Sequence, residues 1–535
     1  MSVRIEPVPL TAPGLAGAYV DDYPRVGAFY LADAPNDLDS YREVAERIRA
    51  AYPASRWEAL SHFVPALEGR PRERLGALIE GRGLFVATGQ QAGLFVSPLY
   101  TLYKAFTAQR MSQQLEEHLE VPVMPLFSTA SEDHDWAEVS HAHVIDLDNR
   151  LRRLSVQAPH AAEEGGPTPS VERILLGEDV EHALDSLAQA TPDSEFKAGI
   201  LEPLRDAYRP GRGLAEAFEA ALGHLLRRYA FLLVRTAHLY VKRENRELLW
   251  SEWEQRAESE ARLLERSQAI SQAGFDPQVG VATGATNLFL EGKLGRDRVL
   301  YEGDTGRLRR SAEVLRGEDL RSILHSTPER LSPGALLRPV AEARAFPVVA
   351  HVVGPGEIAY LAQSQVLFAL HEVPAPVVVP RAAFRMIEPK VARVLDKYGI
   401  RPDELAGDAT RAINRLLDQR TPPELQESLA RLRSDVAAAL DRVEAAALGF
   451  DPGAQSLLGS GQRAIHSSID GLESRLQARL REKGQIVRGQ LEKAAVNLYP
   501  GGKPQERMLS PYPFLVRYGE GLLDEIYQKV VTPLD

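Results

Sequence analysis

The stretch Leu84-Phe85-Val86-Ala87-Thr88-Gly89-Gln90-Gln91-Ala92-Gly93 decides the fold, because an apolar run of strand length passes directly into a turn rich in glycine and glutamine. A proline at position 98 then suits the first turn of a helix. Two later stretches, Val121–Phe127 and Phe346–Val353, are again apolar runs followed by a polar or Gly-rich turn. Apolar strands that alternate with helices indicate an α/β fold with a doubly wound parallel sheet.

The segments between these units predict insertions. Residues 139–175 alternate between apolar and polar side chains and predict antiparallel strands, while residues 287–310 predict short strands joined by glycine turns. A strand near Ala230–Arg235 is followed by a pattern that predicts one long helix ending near Ala273.

The C-terminal third predicts two long helices. Apolar residues step by three or four along the first, at Leu425, Leu429, Leu432, Val436, Leu440, Val443 and Ala447, and along the second, at Ile465, Ile469, Leu472, Leu476 and Leu480. These stripes predict an antiparallel coiled-coil hairpin, whose first arm is about 40 Å long at 1.5 Å per residue. Such a hairpin either supports the core or pairs two subunits, and its narrow seam favours a homodimer.

These patterns predict three parts of the chain. Residues 1–386 form a catalytic core with inserted segments at about 147–230 and 274–335. Residues 387–495 form the helical coiled-coil domain. Residues 496–535 return to the core.

Composition excludes several classes of function. None of the 535 residues is a cysteine, so a thiol nucleophile, a disulfide, a cysteine-ligated zinc site and an Fe–S cluster are excluded. The net charge of −11 argues against a general nucleic-acid binder. No run approaches 18 apolar residues and the N-terminus lacks the apolar centre of a signal peptide. We therefore expect a soluble, cytoplasmic protein with no membrane partner.

The first turn supplies candidate ligand-binding residues. In open α/β sheets, ligands bind beyond the carboxyl ends of the strands, where helix N-termini attract anions. Glycines there allow a phosphate to approach the backbone, and glutamine amides offer donors. The candidates are Thr88, Gly89, Gln90, Gln91 and Gly93, although their spacing fits neither common phosphate motif and a purely structural turn remains open.

The second turn carries a cluster of histidines and carboxylates. His134 stands between Asp133 and Asp135, so it is a candidate acid/base or phosphate-contacting group whose tautomer a carboxylate would fix. A metal site of His and Asp is a second interpretation. His141 and His143 follow on one face of a predicted strand, where packing against polar partners explains them equally well.

The third turn and a C-terminal loop add further candidates. Gly354 and Gly356 allow close approach of a ligand, and Glu357 offers a partner for an amine or hydroxyl, although the helix dipole alone also favours Glu there. Lys503 and Arg507 supply cations that could clamp a phosphate or belong to a solvated linker.

Several stretches together resemble the BshC family of bacillithiol biosynthesis. They are Thr88–Leu94, Pro98–Ala105, Ala130–Trp136, Gly354–Tyr360, Pro376–Arg381 and Pro500–Arg507, in the order expected for the family. The resemblance covers nearly the whole chain. It departs from the family pattern at Val96-Ser97, Ser128 and Arg235-Thr236.

The resemblance implies a Rossmann-like core related to class I nucleotidyl-transfer folds and a coiled coil that pairs two subunits. It also implies an amide-forming ligase that joins L-cysteine to the amine of glucosaminyl-malate. A free carboxylate does not form an amide usefully in water, and an enzyme thioester is impossible without cysteine. ATP is therefore the expected cosubstrate. Mg²⁺ is a possible cofactor that would accompany ATP, and no residue is assigned as a metal ligand.

The resemblance also orders the candidate residues into roles. The turn at Thr88–Gly93 would hold the nucleotide or the carboxyl group, and His134 with Asp133 and Asp135 would act on the phosphate or a proton. Glu357 would contact the amine or sugar, while Lys503 and Arg507 would counter the pyrophosphate. Two other classes stay open: a nucleotidyl- or glycosyltransferase that uses the acidic cluster with Mg²⁺, and a non-catalytic dimeric substrate-binding protein.

Overall fold

The computed structural model describes residues 3–157, 168–418, 423–451, 453 and 455–535. Residues 158–167, which fall in the predicted insertion at 147–230, lie outside the described residues, as does the side chain of Leu480 in the predicted second stripe.

The strands of the described residues are β1 (Arg4–Pro7), β2 (Leu84–Gln90), β3 (Val123–Thr129), β4 (His141–Ile145), β5 (Leu151–Ser155), β6 (Leu232–Arg235), β7 (Ala285–Gly292), β8 (Gly295–Glu302), β9 (Thr305–Leu308), β10 (Val314–Arg316), β11 (Leu331–Pro333), β12 (Val348–Val353), β13 (Val377–Pro380) and β14 (Phe384–Ile387).

The helices are α1 (Gly14–Asp21), α2 (Leu38–Ala51), α3 (Ala54–Ala59), α4 (Gly69–Glu80), α5 (Tyr100–Leu119), α6 (Trp136–Val139), α7 (Asp179–Ala190), α8 (Lys197–Ala207), α9 (Leu214–Leu226), α10 (Leu239–Glu244), α11 (Arg246–Glu254), α12 (Arg256–Gln272), α13 (Gly317–Ser326), α14 (Arg338–Ala345), α15 (Pro355–Leu370), α16 (Pro389–Tyr398), α17 (Ala409–Asp418), α18 (Pro423–Phe450), α19 (Gln455–Leu498), α20 (Tyr512–Tyr518) and α21 (Gly521–Tyr527).

The central sheet is parallel throughout and has the spatial order β13-β12-β2-β3-β6. The chain therefore builds outward from β2 in one direction through β3 and β6, and then crosses to the other side for β12 and β13. Helices α2 and α5 bury their apolar faces against this sheet. The predicted α/β, Rossmann-like class is confirmed, and its topological switch point lies between β2 and β12.

The first predicted turn begins later than its glycines suggest. Residues Thr88, Gly89 and Gln90 continue β2 and pair with Phe127–Thr129 of β3. A Cβ atom on Gly89 would lie 2.5 Å from the backbone oxygen of Ser128. Glycine is required here because two strands approach closely, so the strand extends through a position that reads as a turn in the sequence.

The predicted long helix before Ala273 is instead three helices, α10 to α12. The chain bends at Asn245, whose side-chain amide donates to the carbonyl of Val241, and again at Gln255. Periodicity continues across both bends, which explains the single helix predicted from the sequence.

Two further sheets contain strands in the stretches 139–175 and 287–310, where the sequence predicts strands. Strands β4 and β5 form an antiparallel pair, and β10-β9-β8-β7-β11 form an antiparallel sheet with its own apolar core. Strands β1 and β14 form a separate two-stranded sheet. None of the helices in the described ranges is both long and apolar enough to cross a membrane.

The chain divides into two compact units. One contains the described residues up to Met386 together with Gln505–Asp535, and the other contains Ile387–Pro504. In the second unit, α18 and α19 form an antiparallel hairpin, in which Glu444 bonds Gln462 and Arg433 bonds Asp470. The predicted coiled-coil hairpin is confirmed, with a second arm that is one continuous helix.

Candidate active site

A cavity of about 460 Å³ lies beyond the carboxyl ends of the central strands, at the switch point between β2 and β12. This volume is typical of a pocket for a small molecule. The predicted site residues that line the cavity are Gly89, Gln90, Gln91, Gly354, Gly356, Glu357 and Arg507. Three separate turns of the sequence therefore meet around one space.

A buried lysine, Lys104 of α5, ties two of these turns together. Its ammonium group donates to the carbonyl of Gly89 at 2.7 Å and to the side-chain oxygen of Gln90 at 3.2 Å. It also pairs with the Glu357 carboxylate at 2.5 Å. Burial lowers the pKa of Lys104, and Glu357 opposes that shift. Sequence reasoning missed Lys104, whose one signal is a lysine inside the apolar run of residues 102–108.

Three arginines line the same cavity, and one of them, Arg338, is paired with Asp133. Arg381 is 3% exposed and forms a bidentate ion pair with Glu506, at 2.9 and 2.6 Å. Its guanidinium lies 5.2 Å from the ring centre of Tyr100. Arg507 is exposed and makes no ion pair with any described residue. The cavity thus holds two arginines that are paired with carboxylates and one, Arg507, that is available to an anion.

The predicted cluster around His134 lies beside the cavity rather than in its wall. Asp133 accepts from the Gln91 amide at 2.9 Å and from Arg338 at 3.4 Å, and both of these partners line the cavity. Burial alone would raise the pKa of Asp133, but Arg338 and Arg296 hold it below its ordinary value. Asp133 is therefore a charged carboxylate that fixes the Gln91 side chain.

His134 contacts a cation instead of the cavity. Its Nδ1 lies 3.2 Å from an Nη1 of Arg296, so the ring nitrogen accepts and the histidine is neutral. Burial lowers the pKa of His134 and Arg296 lowers it further. Asp135 is exposed and caps α6 by accepting from the backbone of Glu138 at 3.3 Å.

The remaining predicted residues lie elsewhere. Thr88 is buried and donates to the carbonyl of Val352 at 2.8 Å, while a Cβ on Gly93 would lie 2.2 Å from the Ser97 oxygen. His141 and His143 stack edge to face on β4, with ring centres 4.9 Å apart. Lys503 is exposed and belongs to the unit formed by Ile387–Pro504.

Two side-chain amides of the cavity wall leave an oxygen without a partner. The Gln91 amide donates to Asp133, and the amide of Asn245, which is 3% exposed, donates to the carbonyl of Val241. Oε1 of Gln91 and Oδ1 of Asn245 are buried, and neither oxygen accepts a hydrogen bond from the described residues. Because each NH₂ group is held, neither amide gains by flipping. The two oxygens are acceptors for N–H or O–H groups of a ligand.

The floor of the cavity carries residues that sequence reasoning also missed. Ser128 donates to Glu342 at 2.7 Å, and Glu342 lies 3.6 Å from Nε2 of His351. Deeper in the wall, Lys242 pairs with Glu132 and donates to the carbonyl of Leu331 at 2.6 Å. Burial lowers the pKa of Lys242. The described part of the chain contains no group of three His, Asp or Glu side chains arranged to hold a metal ion.

Comparison with known proteins identifies the family. Residues 3–382 match the pattern described as "Bacillithiol biosynthesis BshC, N-terminal Rossmann-like domain", and residues 384–533 match "Bacillithiol biosynthesis BshC, C-terminal coiled-coil domain".

Full-length relatives agree with that match. A protein of Salinibacter ruber named "Putative cysteine ligase BshC" is 32% identical over 99% of this chain and 96% of its own length. Proteins of the same name from Chlorobaculum tepidum and Symbiobacterium thermophilum are 30% and 29% identical over 85% and 98% of this chain, and 82% and 97% of their own lengths. The chain belongs to the BshC family of bacillithiol biosynthesis.

Proposed function

We propose that this chain is a cysteine ligase that joins the carboxyl group of L-cysteine to the amine of glucosaminyl-malate, at the expense of ATP. The observation that carries the proposal is the cavity at the switch point, which combines Lys104, Arg381 and Arg507 with the carboxylates Glu342 and Glu357. Cysteine is proposed as a substrate because the relatives are named putative cysteine ligases. Glucosaminyl-malate is proposed as the amine because the sequence resembles the BshC family.

The cationic end of the cavity suits the activation of a carboxylate. A carboxylate oxygen attacks ATP either at the α-phosphorus, where the P–O bond to pyrophosphate breaks, or at the γ-phosphorus, where the P–O bond to ADP breaks. The resulting mixed anhydride carries AMP or phosphate as a leaving group that an amine can displace. Lys104 and Arg507 supply positive charge near the place where phosphate charge would develop. We propose that Mg²⁺ enters with the phosphates, because magnesium usually binds through one or two carboxylates plus substrate phosphates.

The other predicted residues act around this centre. Gln90 and Gln91 contact the nucleotide or the carboxyl group, and Asp133 acts through Gln91. Glu357, held by Lys104, contacts the amine or the sugar. We keep a phosphate contact for His134 and a pyrophosphate contact for Lys503 as predictions.

The direct test is product formation by the whole chain. Incubation with glucosaminyl-malate, L-cysteine, ATP and Mg²⁺ should give a product whose mass is the sum of the two substrates minus water, together with AMP or ADP. Lys104→Met should abolish the product, whereas Lys197→Met, which removes a lysine of α8 outside the cavity, should not. Nucleotide consumption without the amide would contradict the proposal, and ligand binding without nucleotide consumption would favour a carrier.

We further propose that the chain works as a cytoplasmic homodimer through the α18–α19 hairpin. Large apolar side chains stay exposed on this hairpin: Leu432, Val443, Ile465 and Leu472 are each at least 38% exposed. Exposed apolar residues in a heptad pattern are typical of a helical interface with a second chain.

A further inference from the structure

Ser128, Glu342 and His351 form a chain of polar contacts across the floor of the cavity. The Ser128 hydroxyl donates to one oxygen of Glu342 at 2.7 Å, and the other oxygen lies 3.6 Å from Nε2 of His351. All three residues line the cavity, and His351 is 6% exposed. Within the described residues, no hydrogen bond occupies either ring nitrogen of His351.

The backbone holds this group more firmly than a loop would. His351 lies inside β12, where it pairs with Ala87 of β2 on one side and Val378 of β13 on the other. Among the described residues, His351 is the one histidine that lines the cavity, since His134 is turned to Arg296. A rigid histidine beside a carboxylate is the usual arrangement of a general base.

A second buried pair shows what a purely structural histidine looks like in this fold. His371 lies 2.9 Å from Glu252, and its other ring nitrogen contacts the Ser251 hydroxyl at 3.1 Å. Glu252 is fully buried, and neither residue lines the cavity. The His351–Glu342 pair differs in two ways. Its contact is longer, at 3.6 Å instead of 2.9 Å, and both of its residues line the cavity.

We propose that His351, positioned by Glu342, is the base that takes a proton from the attacking ammonium group. This inference rests on the proposed ligase function. The amine enters as R–NH₃⁺ and cannot attack until it loses one proton, which passes to a ring nitrogen of His351. The carboxylate of Glu342 stabilises the resulting imidazolium.

The remaining steps balance without another reactant. The nitrogen lone pair forms the C–N bond to the activated carboxyl carbon. The C–O bond to the phosphate breaks, and its electron pair leaves on the phosphate oxygen. The second proton on nitrogen passes to the leaving phosphate or to water, and imidazolium returns its proton to solvent.

Hydroxylamine separates this role from the activation of the carboxylate, because it is largely uncharged at neutral pH and needs no base. With L-cysteine, ATP and Mg²⁺, the unaltered chain should form the hydroxamate of cysteine. His351→Asn should form it within about threefold of the unaltered rate, while its amide formation with glucosaminyl-malate falls by about 10²-fold or more. Glu342→Gln should show the same split to a smaller extent.

His371→Asn is the matched control, because it removes a buried histidine–carboxylate contact outside the cavity, and thermal melts show whether each variant is folded. It should retain both reactions in the same ratio as the unaltered chain. Equal loss of hydroxamate and amide in folded His351→Asn and Glu342→Gln, or full amide formation by both, would overturn the role of His351. If the unaltered chain forms neither product, the proposed function itself fails, and the role of His351 fails with it.

Discussion

At the scale of single residues, the proposed function depends most on the Lys104–Glu357 pair. Lys104 is 2% exposed and Glu357 is partly exposed, and together they connect β2 to the start of α15. Removing one partner leaves a charge without compensation in a poorly hydrated place, which costs about 3 kcal/mol for a buried pair.

We therefore predict that Lys104→Met lowers stability by up to about 3 kcal/mol and abolishes ligation. The double variant Lys104→Met/Glu357→Leu should regain most of the stability, because neither charge remains, and should stay inactive. Urea unfolding and the product assay measure the two effects. A double variant that recovers activity would show that the pair has only a structural role.

The Lys104–Glu357 pair also shows which site residues could be predicted from the sequence. Glu357 was predicted because it stands in a recognisable turn, whereas Lys104 and His351 lie inside apolar stretches that read as core. Ser128 departs from the family pattern, so the resemblance gave no reason to select it either. These three residues come together only in the folded chain, where several turns meet. The periodicity of a single sequence does not predict which distant residues lie close together.

At the scale of elements, the glycines of the turns divide into two kinds. A Cβ on Gly89 would meet the backbone of β3 at 2.5 Å, whereas a Cβ on Gly356 would meet nothing within 4 Å. Gly356 nevertheless lines the cavity, in the first turn of α15. The first glycine therefore serves strand packing, and the second leaves room for a ligand.

We predict that Gly89→Ala destabilises the fold, because two strands must separate to admit the methyl group. Gly356→Ala should fold with equal or up to about 1 kcal/mol greater stability, since alanine favours a helix, but should raise the KM for ATP or cysteine. Thermal melts and steady-state kinetics separate these outcomes. Full substrate affinity in Gly356→Ala would place the ligand away from this turn.

Strand β6 and helix α9 carry a titrating group outside the cavity. Burial raises the pKa of Glu219 from 4.5 to about 7, although Arg235, at 3.7 Å, opposes the shift. The folded chain therefore holds this proton more tightly than the unfolded chain, and stability falls as the pH rises from about 4.5 to about 7.

Glu219→Gln should remove that dependence. At pH 8 the variant should melt a few degrees higher than the unaltered chain, because it carries no buried charge, and at pH 4.5 the two should melt together. Scanning calorimetry at the two pH values measures the difference. A lower melting temperature for the variant at pH 8 would mean that the Glu219–Arg235 contact outweighs burial.

At the scale of the whole molecule, the sequence predicted the architecture well for a physical reason. Short, continuous apolar runs such as Val348–Val353 are typical of central parallel strands, which are buried on both faces. A sustained heptad pattern is typical of a long helix with an apolar partner. The sequence did not predict the break between α10 and α11 at Asn245 or the break between α11 and α12 at Gln255, because the apolar periodicity continues across both bends.

The proposed homodimer rests on the exposed apolar side chains of the α18–α19 hairpin. The substitutions Val443→Glu and Ile465→Lys should convert the dimer into a monomer, because they place charges in the proposed interface. Helix content should stay unchanged, because both side chains are at least 41% exposed in the single chain. Sedimentation velocity measures the change. Ser467→Lys, an exposed polar-to-charged exchange outside the groove that Ile465 and Leu472 line, serves as the comparison. A chain that is monomeric before any substitution would refute the predicted homodimer.

We propose above all that the cavity activates the carboxyl group of cysteine by phosphoryl or adenylyl transfer before the amide forms. Cysteine labelled with ¹⁸O in both carboxylate positions tests this claim directly, with mass analysis of the nucleotide and phosphate products. We predict that one ¹⁸O atom per amide appears in AMP or in phosphate, and that the other remains in the product. Amide formation with no ¹⁸O in either phosphorus-containing product would contradict it.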